Sequence, residues 1–162
     1  MNPVAADLQQ LSPRAAPISG IRKILLATDL SPASDGAADQ ATELAHDLGA
    51  ELLIVSIIES QAVRPVGLGL RRPDQVRASR ETAAQALVAR GRAAGVRVTF
   101  LIWDGDPGQS IVDAAASEQA DLVVVGSHGR GAVGRFLIGS VSEFVVRNAR
   151  SPVLVVRNQT AG

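Results

Sequence analysis

A run of glycines in the last third of the chain has the spacing of an anion-binding loop. Gly126 closes an apolar run, Gly129 follows, and after nine further residues Gly139-Ser140 opens an amphipathic segment. Lack of a side chain at Gly126 lets a ligand approach the backbone, and Gly129 permits the turn that follows. A helix beginning at Gly139-Ser140 would add unpaired N–H groups and the positive end of its dipole. Together these suit an anion: a phosphate chain between Gly129 and Ser140 would meet amide donors from both sides. Arg130 and Arg135 lie in the same stretch and could add positive charge. A second cluster, Ala27-Thr28-Asp29, ends the first apolar run with a carboxylate.

Neither common phosphate-loop signature fits. G-x-x-x-x-G-K-[ST] is absent, and the loop holds no Lys. Gly129-x-Gly131-x-x-Gly134 satisfies a G-x-G-x-x-G string, but it follows its strand late. No acidic residue stands about twenty positions on in a strand-end context.

Several of these residues have plainer uses. Ser140-x-x-Glu143 has the spacing of a capping box, in which the hydroxyl serves its own helix. Asp29 could simply terminate its strand, although a strand-end carboxylate in an α/β sheet more often faces ligand. His128 has no identifiable partner for general-base work. Arg130, Arg135 and the pair Arg71-Arg72 are in the main expected as solvated loop charges. His46 reads as a surface residue near a helix C-terminus, and Trp103 as packing.

Periodicity gives the strands and helices that carry these groups. Lys23 to Thr28 is continuously apolar after its first residue, as a strand buried on both faces should be. Ser31-Pro32 supplies an N-cap and a first-turn proline for a helix with Ala37, Ala41, Leu44 and Leu48 inward and Gly49 as its stop. A second buried run spans Glu51 to Ile58, followed by a loop through Val66-Gly67-Leu68-Gly69 and a helix from about Pro73 to Ala94. Val96 to Ile102 alternates, which predicts a half-exposed strand at a sheet edge. Asp106-Pro107 caps a third helix with Ile111, Val112 and Ala115 inward, and Asp121 to Val125 forms a fourth strand. A last helix covers about Ser140 to Asn148, and Pro152 to Val156 is a fifth strand. Strands alternating with helical crossovers predict an α/β fold: a three-layer, doubly wound, five-stranded parallel sheet of Rossmann-like type.

Composition narrows the classes. The 162 residues suit one domain, read as a flexible arm over 1–20 and a single α/β domain over 21–158. Sixteen basic residues balance sixteen acidic ones, so no global field draws the chain to nucleic acid or an anionic membrane. Fifteen of the basic residues are Arg, with Lys23 the exception, and aromatics are 2% of the chain, which argues against base-stacking surfaces. The chain has no Cys, which excludes disulfides, thiolate metal sites and Cys nucleophiles. Two His far apart do not make a zinc site. No apolar run approaches the roughly 20 residues of a membrane span, and the N-terminus lacks signal-peptide character, so a cytoplasmic location is expected.

Gly126-x-x-Gly129, nine residues, then Gly139-Ser140 resembles the nucleotide-binding pattern of the universal stress protein family, in its ATP-binding subgroup. The resemblance extends over about residues 21–157 through Asp29, Gly105-x-Pro107, Asp121 and Ser151-Pro152-Val153-Leu154-Val155-Val156. It implies ATP, with Mg²⁺ or Mn²⁺ on the phosphates, and places Asp29 near the ribose or adenine with Ala27 and Thr28 on the same wall. Ile57 would offer backbone groups to the adenine edge. Val125, Gly126, His128 and Gly129 would contact ribose and phosphates, and Gly139, Ser140, Val141 and Ser142 the phosphate tail. It also implies a homodimer through Val153 to Val156. The expected activity is a nucleotide-responsive stress or signalling module. A slow ATPase or phosphotransferase and a nucleotide-free structural dimer stand as alternatives.

Overall fold

The computed structural model describes residues 20–59, 73–127 and 138–157. The expected arm and the loop through Val66 to Gly69 lie outside the described residues. Five parallel strands form one sheet: β1 (Lys23–Ala27), β2 (Glu51–Glu59), β3 (Val98–Gly105), β4 (Leu122–Gly126) and β5 (Val153–Val156). Their order is β3-β2-β1-β4-β5, so consecutive strands run outward from β1 in one direction and then, after β3, in the other. The helices are α1 (Asp35–Leu48), α2 (Pro73–Ala93), α3 (Pro107–Ser117) and α4 (Ser140–Asn148), with a short 3₁₀ turn at Pro32–Ser34. This is the expected α/β fold.

Alternation in the central strands sorts the core into two layers. Ile24, Leu26, Leu52, Ile54 and Val124 pack against α1 and α2. Leu25, Ala27, Val55, Val123 and Val125 pack against α3 and α4. Both faces are covered, which is why these strands read as unbroken apolar runs. The helices that cover them present small residues: α1 buries Ala37, Ala38, Ala41 and Ala45. At Gly91 a Cβ would come within 2.6 Å of Val98 Cγ2, so α2 can lie this close to β3 only with glycine there. Gly49 stops α1 at φ 63°, as expected.

Three local expectations are corrected. Leu48 does not face the core; it is 47% exposed, and Ala45 takes the inward position one turn earlier. Ser31 does not cap α1, because the chain inserts a 3₁₀ turn first, and its amide and hydroxyl both donate to Asp29 Oδ1. β3 is the expected edge strand, but Leu101, Ile102 and Trp103 are all half-buried, since helices reach both of its faces.

The edge of β3 is covered by side chains from α2. Leu52 N–H donates to Arg97 O, so the groups of Arg97 face β2 and those of Val98, Phe100 and Ile102 face outward. Arg92 Nη2 donates to Val98 O at 3.2 Å, and Arg77 Nη1 reaches Ile102 O at 3.4 Å while pairing with Asp104. An unpaired strand edge is a template for intermolecular pairing, and charged side chains are one way of blunting it.

At the opposite, lower end of the sheet, Asp121 ties β4 to β1. Its Oδ2 accepts from Arg22 N–H and Lys23 N–H, both at 2.9 Å. These backbone donors, Arg22 first, hold its carboxyl below the ordinary value of 3.8 against a smaller opposing effect of burial, and the positive charges of Arg22 and Lys23 assist.

Two predictions follow from these contacts. A carboxyl whose pKa is depressed in the folded state adds stability above its unfolded pKa and loses it as pH falls through the folded value. Asp121→Asn should therefore lower stability by about 1 kcal/mol near neutrality. The difference should shrink as pH falls through the folded-state pKa of Asp121, which lies below the ordinary value of 3.8; denaturant titrations across pH that show a constant gap would refute the assignment. Arg77→Ala/Arg92→Ala should make the protein associate with rising concentration in sedimentation velocity, and an unchanged state would show that β3 needs no cover.

Candidate functional site

β1 ends early, and that creates the site. Ala27 pairs with Val55 on one side and Val125 on the other. β2 then runs on to Glu59 and β4 to Gly126, so a crevice opens above β1 where strand order reverses. Thr28 N–H makes a last bond to Val55 O at 3.0 Å. Thr28 Oγ1 then accepts from Leu30 N–H, and Asp29 Oδ1 accepts from Ser31 N–H, both at 2.9 Å. Two such side-chain turns end the strand by giving its amides other partners. Leu30 sits at φ 59°, a left-handed conformation unusual for a non-glycine residue.

The Asp29 carboxylate is oriented by hydroxyls. Ser31 Oγ donates to its Oδ1 at 2.6 Å, and Ser34 Oγ lies 3.0 Å from the same atom. Thr28 Oγ1 donates to Ser34 Oγ at 2.8 Å, and Thr28, Ser31 and Ser34 are all buried. Ala27, Ile57 and Val125 share the face toward α3 and α4 and form an apolar wall below the crevice.

Ser127 N–H donates to Val156 O, and Gly139 N–H donates to Ser127 O, each at 2.7 Å. Ser127 and Gly139 therefore stand side by side at the end of β4. Gly139 is the N-cap of α4, with extended φ −61° and ψ 154°, and has no side chain to bond the helix. The first intrahelical bond runs from Glu143 N–H to Gly139 O, so the amides of Ser140, Val141 and Ser142 precede the ladder.

The capping-box expectation is therefore corrected. Ser140 is the first helical residue and makes no capping bond, and Glu143 pairs with Arg147. The frame moves by one because Gly139, fastened to Ser127, takes the extended cap conformation. The Ser142 hydroxyl is turned away from the open end of the helix: it is buried and donates to Gly126 O at 2.6 Å.

Of the expected site residues, Ala27, Thr28, Asp29, Ile57, Val125, Gly126, Gly139, Ser140, Val141 and Ser142 stand around the ends of β1, β2 and β4. His128, Gly129 and Arg130, and Arg135 with them, lie outside the described residues. Two residues escaped the sequence reading. Ser34 joins Thr28 to Asp29, and Arg80 from α2 donates to Ser56 Oγ at 2.6 Å and reaches Ile57 O at 3.4 Å. Ser34 had a signal in its hydroxyl three residues past Ser31; Arg80 had none beyond its phase on α2. Among the described residues, no group of three or more His, Asp or Glu side chains is arranged to hold a metal ion. No helix there is long and apolar enough to cross a membrane.

A doubly wound parallel sheet with its crevice at the reversal of strand order defines an open α/β domain. Residues 20–157 match the family model described as the universal stress protein family. The chain is 38% identical over 140 residues to a universal stress protein of Thermus aquaticus, covering 84% of this chain and 98% of that one. It is 33% identical over 148 residues to the universal stress protein MJ0531 of Methanocaldococcus jannaschii, covering 84% and 82%. A solved universal stress protein in complex with cAMP superposes with a TM-score of 0.68 at 26% identity, over 87% of this chain and all of that one. The chain belongs to the universal stress protein family.

If the Ser142 hydroxyl fastens α4 to β4, Ser142→Ala should cost about 1–2 kcal/mol, since it strips the Gly126 carbonyl of a buried donor. Hydrogen exchange at the amides of Ser127 and Gly139 should quicken in the same variant. Unaltered exchange there would mean that the hydroxyl does not hold the loop ends.

Proposed function

We propose that this chain binds ATP in the crevice above β1 and acts as a nucleotide-responsive stress or signalling module. The observation that carries the reading is the Gly139–Ser127 hydrogen bond. It brings both ends of the glycine-spaced stretch beside a helix N-terminus with no side-chain cap, where backbone amides and the helix dipole favour an anion. A relative of the same fold in complex with cAMP supports a nucleotide as the ligand class.

In this reading the phosphate tail meets the amides of Ser140, Val141 and Ser142 together with Gly126, His128, Gly129 and Arg130. The base lies on the wall of Ala27, Ile57 and Val125, with the Ile57 backbone at the adenine edge. Asp29, held by Ser31 and Ser34, faces the ribose. Mg²⁺ or Mn²⁺ is held by the phosphates, which supply the oxygen ligands that the described side chains do not gather. A second copy pairs along β5, an edge strand whose Leu154 is 39% exposed.

Thermal unfolding with and without MgATP tests the ligand. Nucleotide at a hundredfold excess over its Kd should add about 2.7 kcal/mol. That corresponds to a rise in Tm of about 5–10 °C for a domain of this size. Mass spectrometry of the supernatant after denaturation should then identify an adenine nucleotide. No shift at millimolar MgATP, with no nucleotide released, would refute the reading.

A further inference from the structure

The sheet-facing stripe of α2 contains one residue that breaks its own pattern. Ala84, Leu87, Val88 and Gly91 are the buried residues of that helix, and Arg80, one turn before Ala84, continues the stripe toward the carboxyl end of β2. There it meets a second exception. β2 is apolar from Leu52 to Ile58 apart from Ser56, whose side chain is 1% exposed. The guanidinium donates to the Ser56 hydroxyl at 2.6 Å and extends to Ile57 O at 3.4 Å.

Two apolar residues would fill this gap between helix and strand at less cost. A charge on a helix face that packs against a sheet loses hydration, and well-packed apolar replacements of such polar groups are often neutral or stabilising. Departures from local pattern of this kind are expected at functional sites. Their position is specific. Thr28 N–H donates to Val55 O, so the carbonyls of Val55 and Ile57 face the β1 side of β2. The β1 ladder ends with Ala27 opposite Val55, so Ile57 lies beyond it, level with the Thr28-Asp29 turn. The Ile57 carbonyl therefore opens into the crevice, and Arg80 reaches it from the α2 side.

We propose that Arg80 is a positioning residue for base recognition: anchored on Ser56, its guanidinium fixes the direction of the Ile57 carbonyl at the rim of the crevice. The proposal rests on the nucleotide reading above. A carbonyl oxygen has two acceptor directions. With one occupied by a fixed cationic donor, the other is held for an N–H of the ligand. An exocyclic amine of adenine supplies such a donor, whereas the corresponding atom of guanine is an acceptor and is refused. The ligand class is thus narrowed to 6-aminopurine nucleotides, and Arg80 acts on the base end, remote from the phosphates.

The test compares ATP and GTP affinities by calorimetry for the full chain, for Arg80→Met/Ser56→Val and for Arg80→Lys. The double variant removes both partners and should melt within a few degrees of the parent. Its preference for ATP over GTP should fall about tenfold, because a site that no longer fixes its acceptor discriminates less. Arg80→Lys, which keeps a cationic donor, should recover part of the preference. A folded double variant with an unchanged ATP/GTP ratio would overturn the proposal while leaving the nucleotide site standing. A parent protein that binds neither nucleotide would overturn both. If the double variant melts far below the parent, Arg80→Gln, neutral but still a donor, decides: a lowered ATP/GTP ratio supports the proposal, and an undiminished one overturns it.

Discussion

The structure depends on the early end of its central strand. β1 is the middle of five strands and pairs on both sides, yet it contributes no ladder residue beyond Ala27. It stops because Thr28 and Asp29 offer side-chain oxygens to the amides of Leu30 and Ser31, which a continuing strand would have given to its neighbours. The turn is costly in itself: a leucine at φ 59° is conformationally strained by about 1 kcal/mol or more. Buried hydroxyls of Thr28, Ser31 and Ser34 offset that cost by closing a local network around the Asp29 carboxylate. The crevice is therefore a product of strand length, and the fold keeps it open by bonding the chain to itself just past Ala27.

The second constraint is the closure of the chain at the end of β4. Val156 O, Ser127, Gly139 and Gly126 form a short relay in which β5, β4 and the start of α4 are bonded to each other. Ser142 completes it from inside the helix. This explains why a hydroxyl at that position would be useful with no ligand present. The residues that hold the helix in place are distinct from the amides that precede its ladder. At Ser142 the side chain fastens the helix to β4 while the backbone amide precedes the helical ladder.

Much of this was legible in the sequence, for reasons that particular residues make clear. A strand buried on both faces is an unbroken apolar run, so β1, β2 and β4 announced themselves, and glycine at αL ended α1 where expected. Asp106 caps α3 as read, accepting from Gln109 N–H at 2.9 Å. The failures share a cause. Ser31 and Ser140 carry capping chemistry in their residue type, but cap identity depends on where the chain enters the helix, and entry is set by the local turn onto Asp29 in one case and by the bond from Gly139 to Ser127 in the other. Leu48 fits a helical stripe by spacing, yet the sheet below α1 is covered by Ala45 before that stripe reaches it. The residues expected at strand ends do stand there, because an apolar run marks where its strand stops. Arg80 was not legible, since a charge on a helix with many charges has no visible partner until β2 and α2 are brought together.

The two faces of the sheet contribute unequally to the crevice. From the α3/α4 side come Ala27, Ile57 and Val125, all without polar side-chain atoms. From the α1/α2 side come Asp29 with its hydroxyls, Ser56 and Arg80. A ligand seated above β1 would thus have an apolar surface on one side and fixed charges of both signs on the other. Such an asymmetry orients a molecule that has a flat apolar part and a polar edge. It does so at little entropic cost, because Asp29 and Arg80 are each held by buried hydroxyls before any ligand arrives. On the proposed reading, preorganisation on the polar face, and not the area of the apolar one, would be what separates one purine from another.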